Sequence, residues 1–485
     1  MSAEPAQSNR QAMAAAVVGQ ALRALTTIAG IMVLARLVEP AVFGHFALLW
    51  SVVIFLDNLR SFGWLEAVVQ VPEVAAETFR SLFWRTAALG LGFAGLMALT
   101  GPLLELLYGE PGFVAPALGL SLLFLVGGLN LQPQARWRRQ MRFTELNVAL
   151  TVAMAFGVGM SVLVAWRGYG MAALIVMHVA REAFLTIWLL ACQRRDPFRW
   201  SWAPLPEVFG RYTRDLLVQR LVSVHTLRLD QFLLGAIAPA ALLGIYNRMF
   251  TLVEMPTRNL RIAVGEVSHA SLSRLQSYPP RQARYFLRLL QVLAWLWLPV
   301  VAVVLAAGES VIRVALGPGW SVGLPYLQLL TLAATGFLFW YACMWLDLAQ
   351  GATRRTRNWA LVQAAVVFAL IGLGALHSPL ALVAGYSAGC FALMLARLHR
   401  MLARLRPHAP EAGWKRMIAP TLCAAVVGAV FALVEQATDF PDLYQLVLST
   451  LLAGGLLAAW LLRSPRARAE LKAWRELLAR KGATP

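Results

Sequence analysis

The chain has 485 residues, 59% of them hydrophobic and 14% charged, with a mean hydropathy of +0.64; an ordinary soluble domain carries roughly 25% charged residues. Apolar stretches of about 20 residues recur from end to end, each long enough to cross a bilayer core, which excludes a soluble globular enzyme and predicts an all-α polytopic membrane protein. The formal charge of +19 does not mark a nucleic-acid binder, because the basic residues alternate with apolar spans instead of gathering on one polar surface.

In chain order, fourteen spans are predicted: 12–37, 44–69, 81–106, 113–132, 147–166, 171–192, 212–237, 244–272, 286–307, 326–350, 359–376, 380–396, 417–434 and 443–462. The first is too long for a signal h-region and has no small-residue cleavage site, so it is expected to stay as a helix. If the N-terminus is cytoplasmic, the even-numbered connections hold nearly all loop cations, Arg80, Arg136, Arg138, Arg139, Arg142, Arg355, Arg397 and Arg404 among them, and the odd-numbered ones only Arg167 and Arg313. The positive-inside rule then places both termini in the cytoplasm. Residues 308–325 read as the longest outward loop, with Glu309 and Arg313 as its charged groups.

An internal repeat lies at an offset of 200 residues: segment 34–46 (LARLVEPAVFGHF) overlies 234–246 (LGAIAPAALLGIY), pairing Leu34 with Leu234, Gly44 with Gly244 and Phe46 with Tyr246. Both copies fall at an outward turn between an odd and an even span, which makes spans 1–6 and 7–12 parallel repeats about an axis normal to the membrane. The expected organisation is an N-lobe over 1–200, a C-lobe over 201–405, an appendage of two helices over 406–465 and a basic tail over 466–485. In the tail, Leu471, Trp474 and Leu478 form one stripe amid basic residues, fitting a helix on the anionic inner leaflet or a plain topogenic tail.

Spans 1, 2, 7 and 8 carry fifteen charged side chains, the other ten spans only six. A charge at the bilayer centre costs about 2.5–3.5 kcal/mol on insertion scales, so this clustering predicts a protein-lined or water-filled interior. Well inside these spans, Arg23, Arg60, Arg220, Arg228, Arg258 and Arg261 oppose Asp57, Asp230 and Glu254. Glu254, Arg258 and Arg261 share one helix face by spacing, as do Asp57 and Arg60. The six arginines are the candidate substrate ligands, since the guanidinium fork suits bidentate binding of phosphate. The three acids are candidate ion-coupling groups. The bland alternative is that Asp57 with Arg60, and Glu254 with Arg258, are structural ion pairs that never touch substrate.

His225, between Arg220 and Arg228, reads more readily as a satisfied polar residue than as a titrating one. The Gly385 and Gly389 pair reads as a close contact of span 12 within its own lobe. Cys192, Cys343, Cys390 and Cys423 sit singly, with no disulfide or zinc spacing. No nucleophile, metal or nucleotide motif stands out, so neither catalysis nor a cofactor is expected.

The LARLVEPAVFGHFAL turn, QARWRRQMRF at 134–143, DQFLLGAIAPAALLGIYNRMFTLVEMP at 230–256, and VIRVALGPGW followed by LPYLQLL within 311–330 together resemble the polysaccharide transport (Wzx-type) family of the MOP superfamily. That resemblance implies two six-helix lobes around a central cavity lined by spans 1, 2, 7 and 8. It also implies a cargo of oligosaccharide on an undecaprenyl pyrophosphate carrier, flipped across a bacterial inner membrane, with membrane lipids and the polymerase and export machinery of the same pathway as partners. A MATE-like antiporter would want an acidic cavity for cationic cargo, and a membrane-embedded polymerase would want catalytic groups on a sizeable outer loop; the sequence favours neither.

Overall fold

The computed structural model describes residues 4–60, 64, 68, 74–140, 142–192, 200–207, 228–409, 417–438 and 440–463. Among these residues the α-helices run in the order α1 (Glu4–Leu37), α2 (Pro40–Arg60), α3 (Ala76–Tyr108), α4 (Val114–Arg139), α5 (Phe143–Trp166), α6 (Gly170–Ala191) and α7 (Leu229–Ile237). They continue as α8 (Ala240–Arg274), α9 (Pro279–Ala315), α10 (Leu324–Ala349), α11 (Thr353–Ala375), α12 (Pro379–Leu405), α13 (Ile418–Ala437) and α14 (Asp442–Arg463), with a 3-10 turn, Pro318–Gly323, ahead of α10. Each predicted span contains a described helix, span 7 only over Leu229–Ile237, residues 212–227 lying outside the described residues. Ten of these helices, α2 to α6 and α9 to α13, are long and apolar enough to cross a membrane. α8 falls outside that set because Arg248, Glu254, Arg258 and Arg261 interrupt its apolar course.

Several helices outrun their predicted spans, as at Arg139 of α4 and Pro279 of α9, and two further differences bring in polar partners. Span 9 was expected to end at residue 307, where the apolar run stops; α9 breaks there, with Ala307 at φ −131° and ψ 33°, and then resumes to Ala315. Residues 308–325 are therefore mostly helical. The resumed turn is fastened by Ser310, which donates to Glu435 of α13 at 3.0 Å, and by Arg313, 3.4 Å from Asp442 at the start of α14. Span 12 was expected to stop before Arg397, but α12 continues to Leu405 and buries that arginine.

The described residues within Met1–Arg248 and Ala375–Pro379 form one compact unit, and those within Met249–Gly374 and Leu380–Pro485 a second. In the first, α3 and α4 meet backbone to backbone: a Cβ on Gly90 would lie 2.6 Å from the Phe124 carbonyl, and one on Gly128 2.7 Å from that of Thr86. Small residues permit this approach, which is the usual currency of helix association in lipid.

The 200-residue repeat is also structural. α1 ends at Leu37 and α2 starts at Pro40, while α7 ends at Ile237 and α8 starts at Ala240. The two turns pack against each other within the first unit: a Cβ on Gly44 would sit 1.8 Å from the Ala240 carbonyl, and one on Gly244 1.9 Å from the Pro40 carbonyl. The match in sequence is thus a reciprocal contact between the two copies. Further along, α4 and α10 each have 26 residues and end on a glutamine C-cap, Gln140 and Gln350.

In the second unit α10 is buried along most of its length. α13 and α14 close on α9 through Ala307, Cys423, Val427, Phe431 and Ala453. The Gly385 and Gly389 pair sets α12 on α11, as expected: a Cβ on Gly385 would lie 2.5 Å from the Leu370 carbonyl.

Candidate functional site

In the first unit the polar groups gather where α2, α4 and α6 meet. α2 ends on Arg60, whose Nη2 lies 3.0 Å from Asp57 and 3.9 Å from Glu182 of α6. Glu182, 6% exposed, pairs also with Arg181 at 3.1 Å and accepts from the Asn130 amide at 3.1 Å. The same amide nitrogen donates to Thr186, and Gln134 donates to the Asn130 carbonyl oxygen at 2.8 Å. Two carboxylates, two guanidiniums and two amides thus form one network, buried at Glu182 and Asn130 and open at Asp57, in which the buried Glu182 carboxylate is paired as buried charge requires. Gly127 makes this possible, since a Cβ there would lie 1.7 Å from Nη1 of Arg60.

A second polar seam joins α2, α7 and α8. Ser51 donates to the side-chain amide oxygen of Gln231 at 2.6 Å, and the Tyr246 hydroxyl donates to Asp230 at 2.6 Å. Arg248 stands over the Phe43 ring at 4.4 Å and donates to Asn247 at 2.8 Å. Arg228, just ahead of α7, adopts φ +46°, and its buried Nε makes no hydrogen bond. Non-glycine residues pay for a left-handed backbone, so the surrounding packing holds this arginine where it is. Arg23 of α1 is fastened to Thr151 and the Asn147 carbonyl of α5 and to Gln20.

In the second unit, Glu254 and Arg258 stand 3.9 Å apart one turn along α8, and Arg261 lies over the Tyr341 ring at 4.4 Å. A separate cluster surrounds Asp347 of α10, which is fully buried and meets Arg397 at 2.9 Å, Arg355 at 3.0 Å and Arg404 at 3.9 Å. Arg397, 1% exposed, lies over Trp340 at 4.3 Å. Arg355, Arg397 and Arg404 were read from sequence as loop cations; for Arg397 that is corrected, because an indole face and a buried carboxylate replace the water its guanidinium would otherwise need.

The two ion pairs anticipated from helical spacing, Asp57 with Arg60 and Glu254 with Arg258, are formed. Asp230 is held by a tyrosine hydroxyl instead of a cation. Arg220 and His225 lie outside the described residues. Sequence reasoning missed Glu182, Arg181 and Asn130 as one network, because Asn130 and Arg60 reach the adjacent Arg181 and Glu182 from other helices and no local spacing links them. It also passed over Arg248, which the aromatic residue at Phe43 holds from another helix.

Residues 33–325 match the model of a family described as polysaccharide biosynthesis protein. The chain belongs to that family. This polysaccharide biosynthesis family member is 21% identical over 301 residues to the lipopolysaccharide biosynthesis protein WzxC of Escherichia coli (strain K12), the alignment covering 61% of each chain. It is 25% identical over 308 residues to the succinoglycan biosynthesis transport protein ExoT of Rhizobium meliloti (strain 1021), covering 62% of this chain and 61% of that one. The chain thus spans about three fifths of the length of the curated relatives it matches. Among solved structures, the lipid II flippase MurJ in an inward closed conformation superposes with a TM-score of 0.68 at 11% identity, covering 92% of this chain and 99% of MurJ. An inward-facing multidrug resistance MATE family transporter of the MOP superfamily superposes with a TM-score of 0.61 at 14% identity, covering 82% of this chain and all of that one. At these identities the likeness is one of fold, and it agrees with the all-α polytopic architecture.

Proposed function

We propose that this chain is a flippase that moves an oligosaccharide on an undecaprenyl pyrophosphate carrier from the inner to the outer leaflet of a bacterial inner membrane, for surface polysaccharide assembly. The observation that carries the reading is the surplus of arginine inside α1, α2 and α8 and immediately ahead of α7. Among the described residues, Arg248 and Arg261 rest on aromatic rings and form no ion pair, while Arg23 is held by neutral groups. Such guanidiniums keep donors for the oxygens of a pyrophosphate, and a cationic cargo would be repelled by them. Family membership supports a role in polysaccharide assembly, and the named relatives supply the transport precedent. On this reading Asp57 and Glu254 hold Arg60 and Arg258 between cargoes and are the candidate sites for a coupling cation.

The test is glycan export by variants in which Arg23, Arg60, Arg220, Arg228, Arg258 or Arg261 is changed singly to Ala, with Lys at the same positions to restore charge without the fork. Export is expected to fall at normal protein levels, partly recovered by Lys. If all six Ala variants export like the parent, the phosphate-binding role is wrong.

A further inference from the structure

We propose that the chain carries a second, separate phosphate-binding site between the start of α3 and the end of α4, built for an anionic headgroup that brings both phosphate oxygens and a hydroxyl. A cavity of about 350 Å³ lies there, at the lower end of the roughly 300–1,000 Å³ of small-molecule sites. Arg80 of α3 and Arg136 and Arg139 of α4 line it, and among the described residues no carboxylate is in its lining. Arg139 is anchored, donating from Nη1 to the Val68 carbonyl at 2.8 Å.

The observation that points to a ligand is Gln132. It lines the same cavity, is 3% exposed, and neither its amide nitrogen nor its amide oxygen has a hydrogen-bond partner. A buried amide with both ends unmet is a rarity that needs an explanation, and one group supplies it from inside the cavity. The arginines ask for anionic oxygens; the Gln132 nitrogen asks for an acceptor and its oxygen for a donor. A phosphate carrying or flanked by a hydroxyl meets all three demands. A phosphoethanolamine headgroup would put an ammonium among three guanidiniums.

Pro133 next in chain cannot donate to the carbonyl of Leu129, which loosens α4 beside the cavity. The first turn of α3 at Ala76, also in the lining, adds the positive end of a 33-residue helix. By the loop-charge reading this end of α3 and α4 faces the cytoplasmic leaflet, where both phosphatidylglycerol and free phosphate are at hand. The site involves none of the arginines assigned to the glycan cargo, and its test needs no transport.

The experiment is thermal melting of the purified full-length chain in neutral detergent, titrated with phosphatidylglycerol, phosphatidylcholine, phosphatidylethanolamine or inorganic phosphate. Phosphatidylglycerol is expected to raise the melting temperature and the two zwitterionic lipids to leave it unchanged. Arg136→Gln and Gln132→Leu should each weaken that response by about tenfold or more, the loss of one charge-assisted or buried hydrogen bond. Arg167→Gln, an exposed cation away from the cavity, should leave it intact. A response to inorganic phosphate with the same variant pattern, and none to phosphatidylglycerol, supports the site with a soluble ligand. If Gln132→Leu does not fold, Arg136→Gln against Arg167→Gln decides. No response to any phosphate, or a response equal in all variants, overturns the proposal.

Discussion

At Gly127 the whole polar network of the first unit turns on a missing methyl group. A Cβ there would meet Nη1 of Arg60 at 1.7 Å, and because that nitrogen is the end of a flexible side chain, the guanidinium can swing away while the helices stay. Gly127→Ala gains about 1 kcal/mol of helix propensity and loses the long Arg60–Glu182 contact, which at 3.9 Å is worth little by itself. Thermal melting should therefore stay within about 1 kcal/mol of the parent, while glycan export falls as far as in Arg60→Ala. Normal export from Gly127→Ala beside impaired Arg60→Ala would show that Arg60 works from a different position. Asp347 presents the opposite case. Its neutralisation in Asp347→Asn leaves Arg397 buried with Nε and Nη1 already unbonded, and a broken buried pair costs about 3–5 kcal/mol. We expect a large loss of folded protein, reversed in part by Asp347→Leu with Arg397→Met, because a well-packed apolar pair avoids the desolvation both charges suffer.

Among elements, the contact of α2 with α8 is the most tightly specified. Gly44 and Gly244 face backbone carbonyls at 1.8 and 1.9 Å from where a Cβ would stand, and a carbonyl cannot rotate aside as a guanidinium can. Gly44→Ala or Gly244→Ala should each cost at least about 1–3 kcal/mol through forced separation of the helices. Since either substitution opens the same contact, the double variant should melt well above the additive expectation. A strictly additive double variant would mean that the two glycines act independently. Much of this was legible in sequence: Gly44 and Gly244 aligned at the fixed offset, and the ten helices long and apolar enough to cross a membrane follow from apolar length. What could not be read was where helices outlast their apolar runs. Arg397 and the turn from Gly308 to Ala315 are helical because Asp347, Glu435 and Asp442 wait on other helices, and a pattern along one strand of sequence carries no record of partners across space.

For the molecule as a whole, orientation rests on the loop cations, and it can be measured. Single reactive cysteines placed at Arg138, Arg355 and Arg406 should be shielded from an impermeant thiol reagent in intact cells, and those at Gly109 and Gly319 should be labelled. A cysteine at Asp439, which lies outside the described residues, should likewise be labelled. One site reproducibly on the wrong side would break the fourteen-span order. The candidate ligands were less legible than the topology. Arg23, Arg60, Arg228, Arg258 and Arg261 could be nominated from sequence as charges out of place in lipid, yet Arg23, Arg60 and Arg261 each touch a residue more than 50 positions away, Thr151, Glu182 and Tyr341, which no local spacing foretells.

The reciprocal glycine contact also bears on how such a chain can diverge. Each copy of the repeat offers the same glycine to the first turn of the other, which is the arrangement of an isologous interface. Two separate chains, each with one copy, would meet through this contact as a symmetric parallel homodimer, and any substitution would then strike both halves at once. Joined in one polypeptide, the halves are free to differ: one has placed a glutamate and an asparagine between its helices, the other an aspartate ringed by arginines. Fusion lets the two copies keep one shared contact while their buried polar groups diverge.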